Sequence, residues 1–186
     1  MCVNYYENFG FYHITNFFSE EEYALMFDEL SWLCDDELLL NPTDSGGKSY
    51  ARTSRGLPIE SFMPASDSYI IQKMNKMCDL DLKFDLSKYK STHLINHYMG
   101  GQRYDYHTDE CDYTAITTFY KDPRPYLGGT LVFWKDNVEM TMEKFLSRDL
   151  IIFPGSLHHK VTPIQMLKNN VTNMDARISV SRFMKL

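Results

Sequence analysis

The chain has 186 residues, of which 24% are charged and 44% hydrophobic, and its formal net charge at pH 7 is −6. This composition is typical of a globular protein and excludes a disordered chain or a fibrous repeat. The net negative charge disfavours a dedicated nucleic-acid-binding protein, whose surface is usually basic. The length predicts a single domain over residues 1–186.

The cysteines and the N-terminal residues predict where the protein resides. The four cysteines include no Cys-x-x-Cys pair, which favours reduced structural thiols over disulfides or a zinc site with thiolate ligands. No apolar run approaches the roughly 18 residues that cross a bilayer, and Asn4 and Glu7 lie where a signal peptide would be apolar. We therefore expect a cytoplasmic protein without membrane contacts.

The first half of the chain predicts two helices. Ser19 and Glu22 form a capping box at the start of the first helix. This helix continues to about Leu33, with apolar side chains, among them Tyr23 and Phe27, at helical spacing. We expect this stripe to pack on the rest of the fold. The second predicted helix covers about residues 66–77.

Between the helices, residues 41–63 are rich in proline, glycine, serine and threonine, and they include Arg-Thr-Ser-Arg-Gly at residues 52–56. This composition predicts a long loop. Loops of this length are often lids or binding segments, and a disordered surface loop is the alternative.

After about residue 88 the sequence predicts strands, because short runs rich in β-branched and aromatic residues alternate with glycine and proline. The runs lie at residues 94–98, 115–120, 130–134, 150–153 and 178–181. Many short strands, with helices confined to the first half, indicate an α+β protein that is mainly β, an antiparallel sandwich or barrel with helices on one side. We assign about residues 1–90 to a helical and lid part and about residues 91–186 to the β core.

The pair His107 and Asp109 is the first candidate for chemistry. The pattern is weak alone, because about 0.8 pairs of a histidine with an acid two places later are expected by chance with 6 histidines and 25 acidic residues. In an extended segment, residues two apart point to the same face, so the imidazole and the carboxylate can bind one metal ion. The pair therefore needs support from elsewhere in the chain.

The turn after the strand at residues 150–153 gives that support, since it presents His158 and His159. Either histidine would complete a set of two histidines and one carboxylate. Such a set occupies one face of a metal and leaves other positions open, as in non-haem Fe(II) oxygenases and unlike a closed structural zinc site. The residue types alone leave the choice between the two histidines open.

The last predicted strand carries Arg177, Ser179 and Ser181 on one face. An inward-facing arginine requires an anion, and its planar guanidinium can bind a carboxylate through two parallel hydrogen bonds while a neighbouring hydroxyl donates a third. Arg177 with Ser179 would suit the far carboxylate of 2-oxoglutarate. The structural alternative is that Arg177 pairs with an internal Asp or Glu.

The order of these motifs resembles the Fe(II)/2-oxoglutarate dioxygenase superfamily, whose core is a double-stranded β-helix, or jelly roll. Few other families share this order, which extends over roughly residues 92–184. In chain order the motifs are His107-x-Asp109, Gly-Gly-Thr-Leu-x-Phe at residues 128–133, His-x-Val-x-Pro at residues 159–163, and Arg177-x-Ser179.

This resemblance implies a jelly-roll core with N-terminal buttressing helices, and it selects His159 over His158 as the ligand that joins His107 and Asp109 on Fe(II). It implies an enzyme that hydroxylates a substrate C–H bond with O₂ and couples this to the decarboxylation of 2-oxoglutarate to succinate. Arg177 and Ser179 would bind the cofactor, and ascorbate is a candidate reductant.

Upstream, Asn96-x-Tyr98 resembles the Asn-x-Tyr segment of the same superfamily, in which the tyrosine and sometimes the asparagine bind 2-oxoglutarate. The resemblance therefore adds Tyr98, and with it Asn96, to the predicted cofactor site. In the structural alternative, Tyr98 is an ordinary core aromatic whose hydroxyl has a partner.

Arg-Thr-Ser-x-Gly at residues 52–56 resembles a segment of prolyl 4-hydroxylases that contributes to peptide binding. The resemblance implies that Arg52 and Ser54 lie at the substrate site and that the substrate is a protein side chain such as proline. The chain departs from these enzymes at Arg177, where they commonly have lysine, although oxygen-sensing prolyl hydroxylases also have arginine there.

AlkB-type nucleic-acid demethylases share the Asn-x-Tyr segment but usually have a second arginine six residues after the first, where this chain has Phe183. Arg182 is one residue short, so in a strand it would face the other way. A nucleic-acid substrate is therefore less favoured than a protein substrate. A small-molecule hydroxylase and a non-catalytic metal-binding module are the remaining alternatives.

Overall fold

The computed structural model describes residues 1–35, 52–55, 67–76 and 88–186. These residues form two α-helices, α1 (Glu20–Asp35) and α2 (Asp67–Lys76), and thirteen strands. The strands are β1 (Cys2–Tyr6), β2 (Phe11–Thr15), β3 (Arg52–Arg55), β4 (Lys90–Tyr98), β5 (Tyr104–His107), β6 (Tyr113–Phe119), β7 (Tyr126–Gly128), β8 (Leu131–Lys135), β9 (Val138–Thr141), β10 (Leu150–Pro154), β11 (His158–Val161), β12 (Ile164–Met166) and β13 (Arg177–Lys185). Neither described helix has the length and apolar character needed to span a bilayer.

The strands form two main antiparallel sheets. The larger sheet has the order β1-β2-β10-β6-β13-β4-β3, and the smaller has the order β5-β11-β8-β9. β7 and β12 make a separate two-stranded ladder. The mainly β class with antiparallel sheets is therefore confirmed, and its helices lie in the first half of the chain, as predicted.

The inner strands of the larger sheet contribute to a hydrophobic core on each face, because successive side chains of a strand point to opposite faces. Phe11, Ile116 and Ile151 belong to the core that also includes Phe133 of the smaller sheet. On the other face, a second core joins residues of the sheet to both helices; its members include Ile178, Val180, Met26, Leu30 and Met74. The helices therefore buttress one side of the larger sheet, and the other side packs against the smaller sheet.

Helix α1 begins at the predicted capping box. The Glu22 amide donates to Ser19 Oγ at 3.1 Å, and the Ser19 amide donates to Glu22 Oε2 at 2.7 Å. From the next turn, the Tyr23 ring stacks on Phe119 of β6 at 5.2 Å between centroids. Burial raises the pKa of Tyr23 to about 12. The predicted stripe therefore packs on the sheet.

Three strands in the first 88 residues were not predicted. In β2, four consecutive residues are buried, because the strand lies between β1 and β10 and has a packed layer on each face. Such a strand shows no alternation of polar and apolar residues, which removes the usual sequence signal. β3 lies within the segment that was predicted to be a loop, and the rest of residues 41–63 lies outside the described residues.

A buried carboxylate fixes the turn that leads into β13. Asp175 is 1% exposed, its Oδ2 accepts from the Thr172 amide and hydroxyl at 2.8 and 2.9 Å, and its Oδ1 lies 2.9 Å from Lys168 Nζ. Burial acts to raise the pKa of Asp175, but the hydrogen bonds from Thr172 and Lys168 outweigh it and hold the pKa below its usual range. The ionised carboxylate therefore stabilises the fold.

We expect Asp175→Asn to lower the free energy of unfolding at pH 7 by about 1–3 kcal/mol, since Thr172 and Lys168 would lose a buried, ionised acceptor. Because the folded pKa is depressed, the wild-type advantage is full above the unfolded pKa of about 4 and declines as the pH falls below it. Urea unfolding of both proteins at several pH values measures this difference. Asp122→Asn, which replaces an exposed carboxylate, is the control. If the difference in free energy of unfolding between wild type and Asp175→Asn stayed constant down to acidic pH, the expectation would be contradicted.

Candidate metal centre

Three potential metal ligands come together between the two sheets. His107 ends β5, Asp109 follows it by two residues, and His159 lies on β11 directly opposite His107. One ligand atom from each residue lies within 4.8 Å of the others. Asp109 is between the histidines, with Oδ1 3.7 Å from His107 Nε2 and Oδ2 3.5 Å from His159 Nε2.

Backbone carbonyls orient both imidazole rings. His107 Nδ1 lies 2.8 Å from the Asp105 carbonyl oxygen, and His159 Nδ1 lies 2.9 Å from that of Leu157. A carbonyl only accepts, so each Nδ1 carries the proton and each Nε2 offers its lone pair to a metal. Burial also lowers the pKa of His159, which favours the neutral ring that binds metals.

Asp109 is fixed by contacts that the sequence did not suggest. Thr114 Oγ1, at the start of β6, donates to Asp109 Oδ2 at 2.5 Å, and the Asp109 amide donates to the Gly155 carbonyl at 2.8 Å. Cys111 Sγ lies 3.3 Å from Thr114 Oγ1. A threonine in a β-rich run carries no sign of such a role, so Thr114 was not predicted. The hydrogen bonds to Thr114 and Gly155 therefore hold Asp109 in position.

We expect Gly155→Ala to disturb this arrangement. A Cβ at Gly155 would lie 2.2 Å from the Cys111 carbonyl oxygen and 3.0 Å from that of Asp109, and both contacts are backbone. The backbone at Asp109 and Cys111 must therefore move, at a cost of about 1–3 kcal/mol in stability together with weaker metal binding. Thermal unfolding and metal titration measure the two effects. In the control, Gly100→Ala, the new Cβ meets only the flexible Met166 side chain, at 3.2 Å, and equal losses in both variants would contradict this reading.

Arg177 lines the same pocket as the three ligands. It is 2% exposed, and its Nη1 has no hydrogen-bond partner among the described residues. Burial lowers the pKa of Arg177, and among the described residues no carboxylate lies within ion-pair distance of it, so the internal Asp or Glu partner is not found there. A buried guanidinium nitrogen without a hydrogen-bond partner is costly. The position therefore fits a ligand carboxylate, as 2-oxoglutarate would supply.

The other predicted cofactor residues flank Arg177. Tyr98 and Asn96 on β4 pair with Arg177 and Ser179 on β13, and all four line the pocket. The Arg177 guanidinium carbon lies 5.2 Å from the Tyr98 ring centroid. Burial raises the pKa of Tyr98, and the Arg177 charge and a hydrogen bond with Ser179 act against this rise. Tyr98 is thus neutral and able to donate.

One further polar residue faces this region. Thr118 on β6 pairs with Ser179, and its buried hydroxyl has no hydrogen-bond partner among the described residues, which is also true of Asn96 Oδ1. Buried polar groups in native proteins are usually satisfied. The sequence predicted Thr118 only as a strand residue, because its role depends on its neighbour in the sheet.

The two residues that weakened the AlkB interpretation occupy opposite faces of β13. Phe183 lines the pocket with Arg177, Ser179 and Ser181. Arg182 is buried, but it alternates with these residues along the strand and so belongs to the opposite face. The pocket therefore lacks a second arginine at this position, as the sequence predicted.

Arg52 and Ser54, the predicted substrate residues, lie on β3 at the edge of the larger sheet. They pair with His97 and Ile95, whereas Thr53 pairs with Asn96, which lines the pocket. The predicted segment is thus adjacent to the strand that carries Asn96. The roles of Arg52 and Ser54 in substrate binding stay a prediction.

Comparisons with known proteins give partial sequence matches and a nearly complete structural match. No protein-family model matches the chain. The PKHD-type hydroxylase PiuC of Pseudomonas aeruginosa is 33% identical in an alignment of 83 positions, which covers 38% of this chain and 36% of that protein. The matched region thus spans about a third of the length of this relative.

Two solved structures match almost the whole chain. A prolyl-4-hydroxylase from Pseudomonas putida has a TM-score of 0.66 at 16% identity over 96% of this chain and 94% of that chain. A prolyl hydroxylase from Trichoplax adhaerens, in complex with a peptide fragment of the hypoxia inducible factor oxygen degradation domain, has a TM-score of 0.66 at 14% identity over 96% of this chain and 84% of that chain. At these identities the likeness shows the fold.

The predicted jelly-roll fold is therefore confirmed, and so is the resemblance to the Fe(II)/2-oxoglutarate oxygenases. The matched structures include prolyl hydroxylases, the type that the Arg-Thr-Ser-x-Gly motif resembles.

Proposed function

We propose that this chain is an Fe(II)/2-oxoglutarate-dependent dioxygenase that hydroxylates a substrate C–H bond. The observation that carries the proposal is the pocket itself, in which an open set of two histidines and one carboxylate faces a buried arginine with an unpartnered nitrogen. An open metal site and an anion site in one pocket fit a cofactor that chelates a metal at one end and carries a carboxylate at the other.

His107, Asp109 and His159 would hold Fe(II). Arg177, with hydroxyls from Ser179 and Tyr98, would bind the distal carboxylate of 2-oxoglutarate. When bound, iron and 2-oxoglutarate supply the oxidising chemistry with O₂, and the cofactor leaves as succinate and CO₂. The protein orients the metal ligands through Thr114 and the two backbone carbonyls, and it excludes water from the Arg177 end by burial.

We propose a protein or peptide substrate, with a prolyl side chain as the first candidate. The likeness to prolyl hydroxylases supports this choice, and so does the Arg-Thr-Ser motif on β3 beside the strand that carries Asn96. Phe183 in place of a second arginine, together with the negative net charge, makes a nucleic-acid substrate less favoured. The cytoplasmic location and a role for ascorbate stay predictions.

The proposal is tested by anaerobic addition of Fe(II) and 2-oxoglutarate, which should produce the weak visible band of the chelate. Admission of air with a panel of peptides should then yield succinate and a product heavier by one oxygen atom. A band without succinate would identify a metal-binding module instead of an enzyme. If the protein instead oxidised a small molecule, it would be a small-molecule hydroxylase. If it removed a methyl group from an oligonucleotide, it would be a nucleic-acid demethylase.

A further inference from the structure

The strand that ends at His107 contains a β-bulge. In the ladder between β5 and β11, His107 pairs with His159 and Tyr104 pairs with Val161. The partners are two residues apart on β11 but three apart on β5, so β5 carries one extra residue. β11 is regular on its other side, where its residues pair in order with those of β8. The irregularity therefore belongs to β5.

The bulge changes which side chains of β5 face the metal pocket. In a regular strand, residues three apart point to opposite faces of the sheet. Tyr104 and His107 instead line the same pocket, because an extra residue in one strand re-aims the side chains beyond it. Tyr106, within the bulge, does not line this pocket. Its hydroxyl donates to Glu139 Oε2 at 2.6 Å, and Lys160 Nζ lies 4.4 Å from its ring centroid.

The bulge places an aromatic ring face to face with a candidate metal ligand. The ring centroids of Tyr104 and His107 are 3.8 Å apart, and the ring planes differ by 12°. The Asp105 carbonyl, also within the bulge, accepts from His107 Nδ1 at 2.8 Å. One hydrogen bond still lets the imidazole tilt about that bond, and a parallel ring in contact with its face opposes the tilt. The bulge thus supplies two restraints on His107.

The two metal-binding imidazoles are held in different ways. His159 lies on an inner strand, and its ring centroid is 4.7 Å from that of Phe153 and 6.4 Å from that of Phe133. Both phenylalanines are fully buried. In the part of the chain that the structure describes, β5 is an edge strand of the smaller sheet. His107 therefore has the Tyr104 ring where His159 has the hydrophobic core.

We propose that Tyr104 is a positioning residue for the metal centre, because its ring holds the His107 imidazole in the orientation that a bound metal requires. The inference rests on the proposed function, since it needs a metal at this site. The face of the ring carries the role, and the hydroxyl is not needed for it. Because Tyr104 is three residues from His107, its place in the pocket depends on the bulge.

Metal binding by variants of Tyr104 tests this inference. Co(II), added to the metal-free protein in place of Fe(II), reports affinity by titration and ligand geometry by its visible absorption bands. We expect Tyr104→Leu to shift these bands and to weaken Co(II) binding by about 10-fold, since loss of a residue that orients a metal ligand costs about 10- to 100-fold. Tyr104→Phe keeps the ring and should match the wild type in both measurements. Tyr106→Leu is the matched control, because it removes a ring of the same strand from outside the pocket, and it should also match the wild type.

Two results would overturn the inference. Wild-type affinity and bands in Tyr104→Leu would show that the ring is not needed, and equal losses in Tyr104→Phe and Tyr104→Leu would assign the role to the hydroxyl. Thermal unfolding of the metal-free variants shows whether each one folds. Tyr104→Met, which fills the site without a ring, takes the place of Tyr104→Leu if that variant is unfolded. A wild-type protein that binds Co(II) but forms no chelate band with Fe(II) and 2-oxoglutarate would contradict the proposed function alone.

Discussion

His107→Ala is expected to abolish 2-oxoglutarate turnover and to weaken Fe(II) binding by at least about 100-fold, because loss of even an outer hydrogen-bond partner of a metal ligand costs about 10- to 100-fold. The same result is expected for Asp109→Ala, which removes the carboxylate that lies between the two histidines. Succinate formation and Fe(II) titration measure the two losses. Coupled oxidation of substrate by either variant would show that the ligands are wrongly assigned.

His158→Ala is the matched control for the metal centre. His158 neighbours His159 in sequence, but it is exposed and its ring lies against Trp134 with 5.9 Å between centroids. We expect this variant to keep Fe(II) affinity close to that of the wild type, whereas His159→Ala loses it. If the two variants exchanged these results, the choice of ligand made from the His-x-Val-x-Pro resemblance would be wrong.

Arg177→Met is expected to weaken 2-oxoglutarate binding by about 100-fold or more, since the cofactor carboxylate would be buried without its cation. The shape of the side chain is roughly kept, so the effect should lie in cofactor affinity more than in folding. Titration of the anaerobic chelate band with 2-oxoglutarate measures the change. An unchanged affinity would rule out the anchor.

Arg182→Met is the control for this variant, because it removes a second buried arginine from the same strand but from the opposite face. It should lower the free energy of unfolding and leave the cofactor affinity of the folded protein near that of the wild type. Arg177→Lys separates charge from geometry. Lysine keeps the charge but lacks the planar pair of donors, so an intermediate affinity is expected.

The proximity of His107 to Asp109 and the buried position of Arg177 could be predicted, because each depends on one short segment. His107 and Asp109 are two residues apart on an extended segment, and Arg177 alternates with apolar residues on one strand. The choice of His159 over His158 is different, because both residues follow the same turn and only the strand register decides which faces inward. That choice came from the resemblance.

Residues that act through neighbours in the sheet were not predictable. Thr114 contacts Asp109, and Thr118 pairs with Ser179, because β6 lies next to β13 and begins close to Asp109. The sequence shows both as ordinary strand threonines. β2 was missed for a related reason, since burial on both faces removes the alternation that identifies a strand.

His107 on β5 pairs directly with His159 on β11. An ion bound by both residues would therefore link two neighbouring strands. The ion would stabilise the contact between these strands of the smaller sheet. Asp109 would add the segment that follows β5 to the same site. Ligands that bind the native state alone raise its stability by mass action. If the site binds iron as proposed, a shortage of iron would lower the stability of the folded protein, so the amount of protein, as well as its activity, would follow the supply of metal.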